Sequence, residues 1–124
     1  MITILITGDN FAAVKPVRGV AEALGFTVLH AYSTENVTED VLLNSVALVI
    51  ASESSQPFDA CEVCEMLRGD PSIAPDLGVL LMHSGNVSPQ RYEKAGFSGK
   101  VSTGAPDAVW IEEIIRLVGD RVSG

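Results

Sequence analysis

The run Val46-Ala47-Leu48-Val49-Ile50-Ala51 is apolar without a break. A strand with one face in water alternates polar and apolar positions, so an uninterrupted, β-branched-rich run calls for burial on both faces. A parallel sheet meets that condition, because its strands are joined by helical crossovers that cover both of its faces. With 124 residues the chain is one domain, large enough to bury such a core without disulfides or metals.

The rest of the chain supplies the other strands and crossovers. Ile2 to Thr7 is a β-branched run closed by Gly8-Asp9-Asn10; Asn10 is placed to cap a helix running to about Leu24, and Gly25 to stop it. Pro16 falls inside that helix, where it removes a hydrogen bond and bends the axis. Phe26 to Ala31 reads as the second strand, and a polar segment through Thr34-Glu35-Asn36 leads into a short helix around Thr38 to Leu43. After the strand from Val46 to Ala51, Asp59 caps a helix that runs through Arg68 and is stopped by Gly69-Asp70-Pro71. Val79 to Met82 is a fourth strand, Ser88-Pro89 opens a helix ending near Ala95-Gly96, and Gly99 to Ser102 is a short fifth strand. Asp107 to Val118 is the closing amphipathic helix, with Val109, Ile111, Ile114, Ile115 and Val118 assigned to its buried face. Five strands alternating with five helices predict a single α/β domain over residues 1–124, a doubly wound five-stranded parallel sheet of flavodoxin-like topology. Sites in such sheets form at the carboxyl ends of the strands, which directs attention to Gly8-Asp9-Asn10, Ser52 to Phe58, His83-Ser84-Gly85 and Ser102 to Pro106.

Composition narrows the function classes. Apolar residues make up 47%, charged residues 19%, and the mean hydropathy is +0.29, as in a folded globular chain. The net charge is -8, and eight scattered Lys and Arg make no basic patch, which argues against nucleic-acid binding by this domain. The start, Met1-Ile2-Thr3, has no basic region or cleavage site, and no apolar run approaches the roughly 20 residues of a membrane span. A soluble cytoplasmic protein with no membrane partner is expected. Cys61 and Cys64 sit too close together for a disulfide framework. Their CxxC spacing on a helix leaves two readings, a thiol oxidoreductase pair or two buried inert thiols, and no second cysteine pair completes a metal site.

Several segments together carry a family resemblance: Thr3-Ile4-Leu5-Ile6-Thr7-Gly8-Asp9-Asn10, Gly25-Phe26-Thr27-Val28 followed by Ala31, the helix from Asp59-Ala60-Cys61 to Arg68-Gly69-Asp70-Pro71, and Ala95-Gly96-Phe97-Ser98-Gly99. In these, over its whole length, the chain resembles a response-regulator receiver domain, the CheY-like module of bacterial two-component and phosphorelay signalling. The resemblance implies two adjacent acids after the first strand that help to hold magnesium; here the pair is Gly8-Asp9, leaving Asp9 as a weak magnesium ligand. It implies a phospho-accepting aspartate ending the third strand, and Ser52 stands there. A shift of one residue would instead place Glu53 there and align Pro57 with the proline that commonly follows the acceptor, at the cost of turning the side chain to the other face. The implied lysine after the fifth strand is replaced by Thr103. Lys100 lies an odd number of residues earlier, so it points the other way, and it occupies the position where the family usually carries an aromatic switch residue. The implied hydroxyl switch position falls on His83 or Ser84.

Phosphoryl transfer needs a carboxylate nucleophile, a bridging metal and a cation acting together, and a serine hydroxyl is a poor nucleophile without a neighbouring base. The resemblance therefore implies a degenerate pseudo-receiver, not an enzyme and without a required cofactor, that signals by binding. Three alternatives accompany it: a variant receiver phosphorylated with magnesium on Glu53 or Asp59, the thiol oxidoreductase, and a flavin binder suggested by fold analogy alone, against which Asp9 puts a carboxylate where a phosphate would sit. Plainer readings stand beside these: Asp9 as an acceptor of backbone hydrogen bonds in its turn, Ser52-Glu53-Ser54-Ser55-Gln56 as ordinary polar surface, and His30 and His83 as structural groups. The family often uses the surface corresponding to Ser88 to Ala95, Gly99 to Ser102 and Asp107 to Val118 for partner or homodimer contacts, which makes Lys100 a candidate contact and leaves Trp110 either an exposed anchor there or a core residue.

Overall fold

The computed structural model describes residues 2–8, 11–31, 37–52, 60–83 and 89–122. Strands β1 (Thr3–Thr7), β2 (Thr27–Ala31), β3 (Val46–Ser52), β4 (Gly78–His83) and β5 (Gly99–Ser102) alternate with helices α1 (Phe11–Ala23), α2 (Val37–Leu43), α3 (Ala60–Gly69), α4 (Pro89–Ala95) and α5 (Asp107–Val122). All strand pairs are parallel, in the order β2-β1-β3-β4-β5, the flavodoxin-like arrangement. β3 occupies the centre and is buried at all seven positions, as its unbroken apolar run requires.

Strand alternation divides the core into two layers. Ile4, Ile6, Leu48, Ile50, Leu80 and Met82 face one side, where Val14, Val17 and Ala21 of α1 and Trp110, Ile114 and Val118 of α5 cover them. Leu5, Val49 and Val79 face the other, against Val41 of α2 and Cys61, Cys64 and Leu67 of α3. The helix stops follow from local chemistry. At the end of α1, Gly25 takes φ 90°, its N–H bonds to Glu22 O at 3.0 Å and that of Phe26 to Ala21 O at 3.1 Å, a paired cap that a left-handed glycine permits.

One assignment on α5 is corrected and one open reading, that of Trp110, falls to the core. Val109, Ile111 and Ile115 are 41%, 36% and 47% exposed, while Trp110 is 1% exposed and buried with Ile114 and Val118. From sequence every β-branched residue of the helix counts as buried, although Val109 lies about 200° round the axis from Ile111. The indole has more area to hide, and burying it rotates the helix so that the 110, 114 and 118 positions face the sheet. The proposed caps Asn10 and Asp59 lie outside the described residues.

Candidate functional site at the carboxyl edge of the sheet

The ends of β1, β3, β4 and β5 bring Gly8, Ser52, His83 and Thr103 to one edge. Ser52 is the last residue of β3, in register with Met82 of β4, and is 1% exposed. Its Oγ is buried without a hydrogen-bond partner, as is Oγ1 of Thr7, which ends β1 between Ala31 and Ala51. An unpaired buried hydroxyl costs a fold about 1–3 kcal/mol.

Gly8 closes over Ser52. Its φ of 128° is one that L side chains rarely adopt, and a Cβ placed on it would lie 2.8 Å from Ser52 Cβ and 3.3 Å from Ser52 Oγ. Two further bonds hold the turn: Gly8 N–H donates to Ala31 O at 3.3 Å, and His30 Nε2 meets Gly8 O at 2.6 Å. A carbonyl only accepts, so that imidazole nitrogen carries the proton. His30 thus has a structural task, fixing the β1 turn from β2.

Across the edge, Thr103 N–H donates to His83 O at 2.9 Å, and both residues are half-buried. Lys100 is in register with Leu81, on the opposite face of the sheet from Val101, and its Nζ stands 5.1 Å from the centre of the Tyr92 ring, which stacks on Phe97 at 5.4 Å. It therefore does not replace a cation at Thr103. Asp9, Glu53, Asp59 and Ser84, together with the whole loop 53–59 after Ser52, lie outside the described residues.

Among the described residues, this edge offers a magnesium ion no carboxylate; Asp9 and Glu53, the acids nearest to it in sequence, lie outside them. Magnesium takes carboxylate oxygens in an octahedral shell, whereas position 8 has no side chain and position 52 offers one buried hydroxyl capped by backbone. Among the described residues, no three His, Cys, Asp or Glu side chains gather closely enough to hold a metal, and no helix is long and apolar enough to cross a membrane. A cleft of about 210 Å³ lined by Val41, Leu42, Ile73 and Leu77 lies at the other, amino-terminal end of the strands.

The cysteine pair is placed against thiol exchange. Cys61 and Cys64 are both buried, Cys64 Sγ donates to Ala95 O at 3.1 Å, and burial pushes the Cys64 thiol up to about 11 although the nearby Arg68 guanidinium pulls it down. Exchange requires a low-pKa, accessible thiolate. Arg68 was not singled out from sequence beyond ending a helix, yet its guanidinium donates to Gly96 O (3.0 Å), Leu77 O (2.7 Å), Pro75 O (3.3 Å) and Ser98 Oγ (3.2 Å). A lone arginine at a helix C-terminus is the one sequence signal that pointed to it.

No protein-family model and no curated protein matches the sequence. Solved structures do. The signal receiver domain of a signal transduction histidine kinase from Syntrophus aciditrophicus superimposes with a TM-score of 0.83 at 20% identity, covering 97% of this chain and 92% of that one. The chemotaxis response regulator CheY4 of Vibrio cholerae gives 0.81 at 13% identity, over 94% and 98% of the two chains. A CheY-like response regulator receiver domain protein from Methanospirillum hungatei gives 0.81 at 16% identity, over 100% and 99%. The chain has the receiver fold.

Proposed function

We propose that this chain is a receiver-type domain of bacterial two-component signalling that has lost phosphorylation and works in the cytoplasm as a protein-interaction module. The observation that carries the reading is the Gly8–Ser52 contact. On this reading Ser52 stands at the acceptor position; its hydroxyl has no hydrogen-bonded base among the described residues, and the β1 turn lies over it so closely that not even a Cβ fits between. A hydroxyl nucleophile needs an adjacent base, and a phosphoryl group needs room and a cation. Neither requirement finds support at this position. The partner surface proposed is the flank of α4, β5 and α5 on which Lys100 and Val109 are exposed, with Trp110 withdrawn into the core.

Incubating the protein with magnesium and a small phosphodonor, followed by intact-mass measurement, should yield no adduct. Amide NMR with magnesium and beryllofluoride should show no shifts spreading to β5 and α5. An acid-stable, base-labile adduct mapping to Glu53 or Asp59 would overturn the reading in favour of a variant receiver that is still phosphorylated.

A further inference from the structure

α5 carries apolar surface on two flanks, and only one faces β5. On that flank, Glu113 and Arg116 form an ion pair at 2.7 Å above Gly99, and Arg116 also donates to Ser98 O at 3.3 Å. Ile111 and Ile115, 36% and 47% exposed, lie one helical turn apart on the opposite flank, beside α1, which shares the same core layer. The outward face of α1 is a line of exposed small residues, Ala12, Pro16, Gly19 and Ala23, at the 4, 3, 4 spacing of one helix stripe.

One glycine of that stripe stands out. Gly19 is exposed and lies in mid-helix, where glycine costs about 1 kcal/mol relative to alanine. A Cβ on it would meet nothing within 4 Å. Packing within the described residues does not demand it; close approach by a second molecule would.

The charges beside the stripe are complementary to each other. α1 has no acid in its first turn and exposes Lys15 and Arg18 next to its small residues, with Arg18 only loosely paired to Glu22 at 3.6 Å. α5 exposes Asp107 and Glu112 next to its isoleucines. On a chain of net charge -8, a locally basic helix beside a locally acidic one is a self-complementary surface under a two-fold axis.

We propose that the α1–α5 face is the contact between two copies of this chain, the small-residue stripe of each α1 packing on Ile111 and Ile115 of the other, with Lys15 and Arg18 opposite Glu112. This contact does not depend on whether the acceptor edge is silent, and it leaves the β5 flank free for a different partner.

Sedimentation velocity of the full chain from low micromolar to near-millimolar concentration should show reversible dimerisation. Ile115→Glu should raise the dissociation constant by at least about tenfold with an unchanged circular dichroism spectrum. Lys15→Glu should weaken the dimer several-fold, and the double variant Lys15→Glu with Glu112→Lys should restore it. A monomer at every concentration overturns the proposal. So does a dimer that ignores Ile115→Glu and the charge exchange, and one that Lys100→Glu dissociates instead places the contact on the β5 flank.

Discussion

Gly8→Ala tests directly how closely the β1 turn packs over Ser52. At φ 128° an L residue is held in a sparsely populated region, which costs about 1–3 kcal/mol. The new methyl would also stand 2.8 Å from Ser52 Cβ. Ser52 sits on the central strand at 1% exposure and has no space to retreat into, so the clash is relieved by backbone movement, at an overpacking cost of about 1–3 kcal/mol. Together the substitution should destabilise by roughly 2–6 kcal/mol, a large share of the ~5–15 kcal/mol typical of a domain. For 124 residues each kcal/mol lowers Tm by about 4 °C, so a fall of at least about 8 °C is expected. Equilibrium guanidinium unfolding measures the loss, and Ser52→Gly supplies the second arm of a double-mutant cycle. In that background the steric part disappears, so the coupling between the two positions should be about 1–3 kcal/mol, with the φ cost left over. A Gly8→Ala penalty below about 1 kcal/mol would refute the strain argument, and a full penalty unchanged by Ser52→Gly would refute the contact.

Two further predictions concern the opposite layer. Arg68→Ala removes four hydrogen bonds that tie α3 to the α4–β5 turn and to the lead-in of β4, and should cost about 2–4 kcal/mol while speeding amide exchange at Val79, whose N–H is bonded to Ser98 Oγ at 3.1 Å. Arg68→Lys should recover little of it, because one ammonium does not span acceptors that a planar fork reaches; full recovery by lysine would mean the charge alone matters. Burial raises the Cys64 thiol from 9.0 to about 11, so its contribution to stability is complete below pH 9 and declines as pH rises from there towards 11. Alkylation at pH 8 should therefore proceed only through unfolding, and rapid labelling of native protein would contradict the buried placement.

The fold was legible because its signals are redundant. Unbroken apolar strands, a glycine after α1 and a serine–proline pair before α4 each point to the same alternation, and register follows from which face must be dry. Trp110 was not legible, since Ile111 and Ile115 on one side and Val109 on the other offer competing apolar positions and only three-dimensional packing ranks an indole above them. Gly8 was noticed as a missing acid, but its left-handed conformation and its contact with Ser52 depend on how two non-adjacent strands end. Arg68 escaped for a similar reason: its acceptors are backbone carbonyls, and a carbonyl carries no sequence signature.

On the proposed reading, the substitutions at the acceptor edge make sense only as a group. The receiver resemblance implies carboxylates at positions 8 and 52 and a cation at 103, groups that neutralise one another with a bound metal. Removing one partner from such a set strands a buried charge, at about 3–5 kcal/mol, whereas replacing the members by neutral groups is often harmless. Gly8, Ser52 and Thr103 are all neutral. Asp9 is the acid of the set that remains, and the described part of the edge is closed by a glycine turn that His30 holds from β2. A ligand shifts an equilibrium only by its differential affinity for two states, and without an acceptor carboxylate at position 52 a phosphodonor has no such handle on this edge. Any signal through this domain then has to be carried by which surfaces are occupied, the α1–α5 face by a second copy and the β5 flank by a partner.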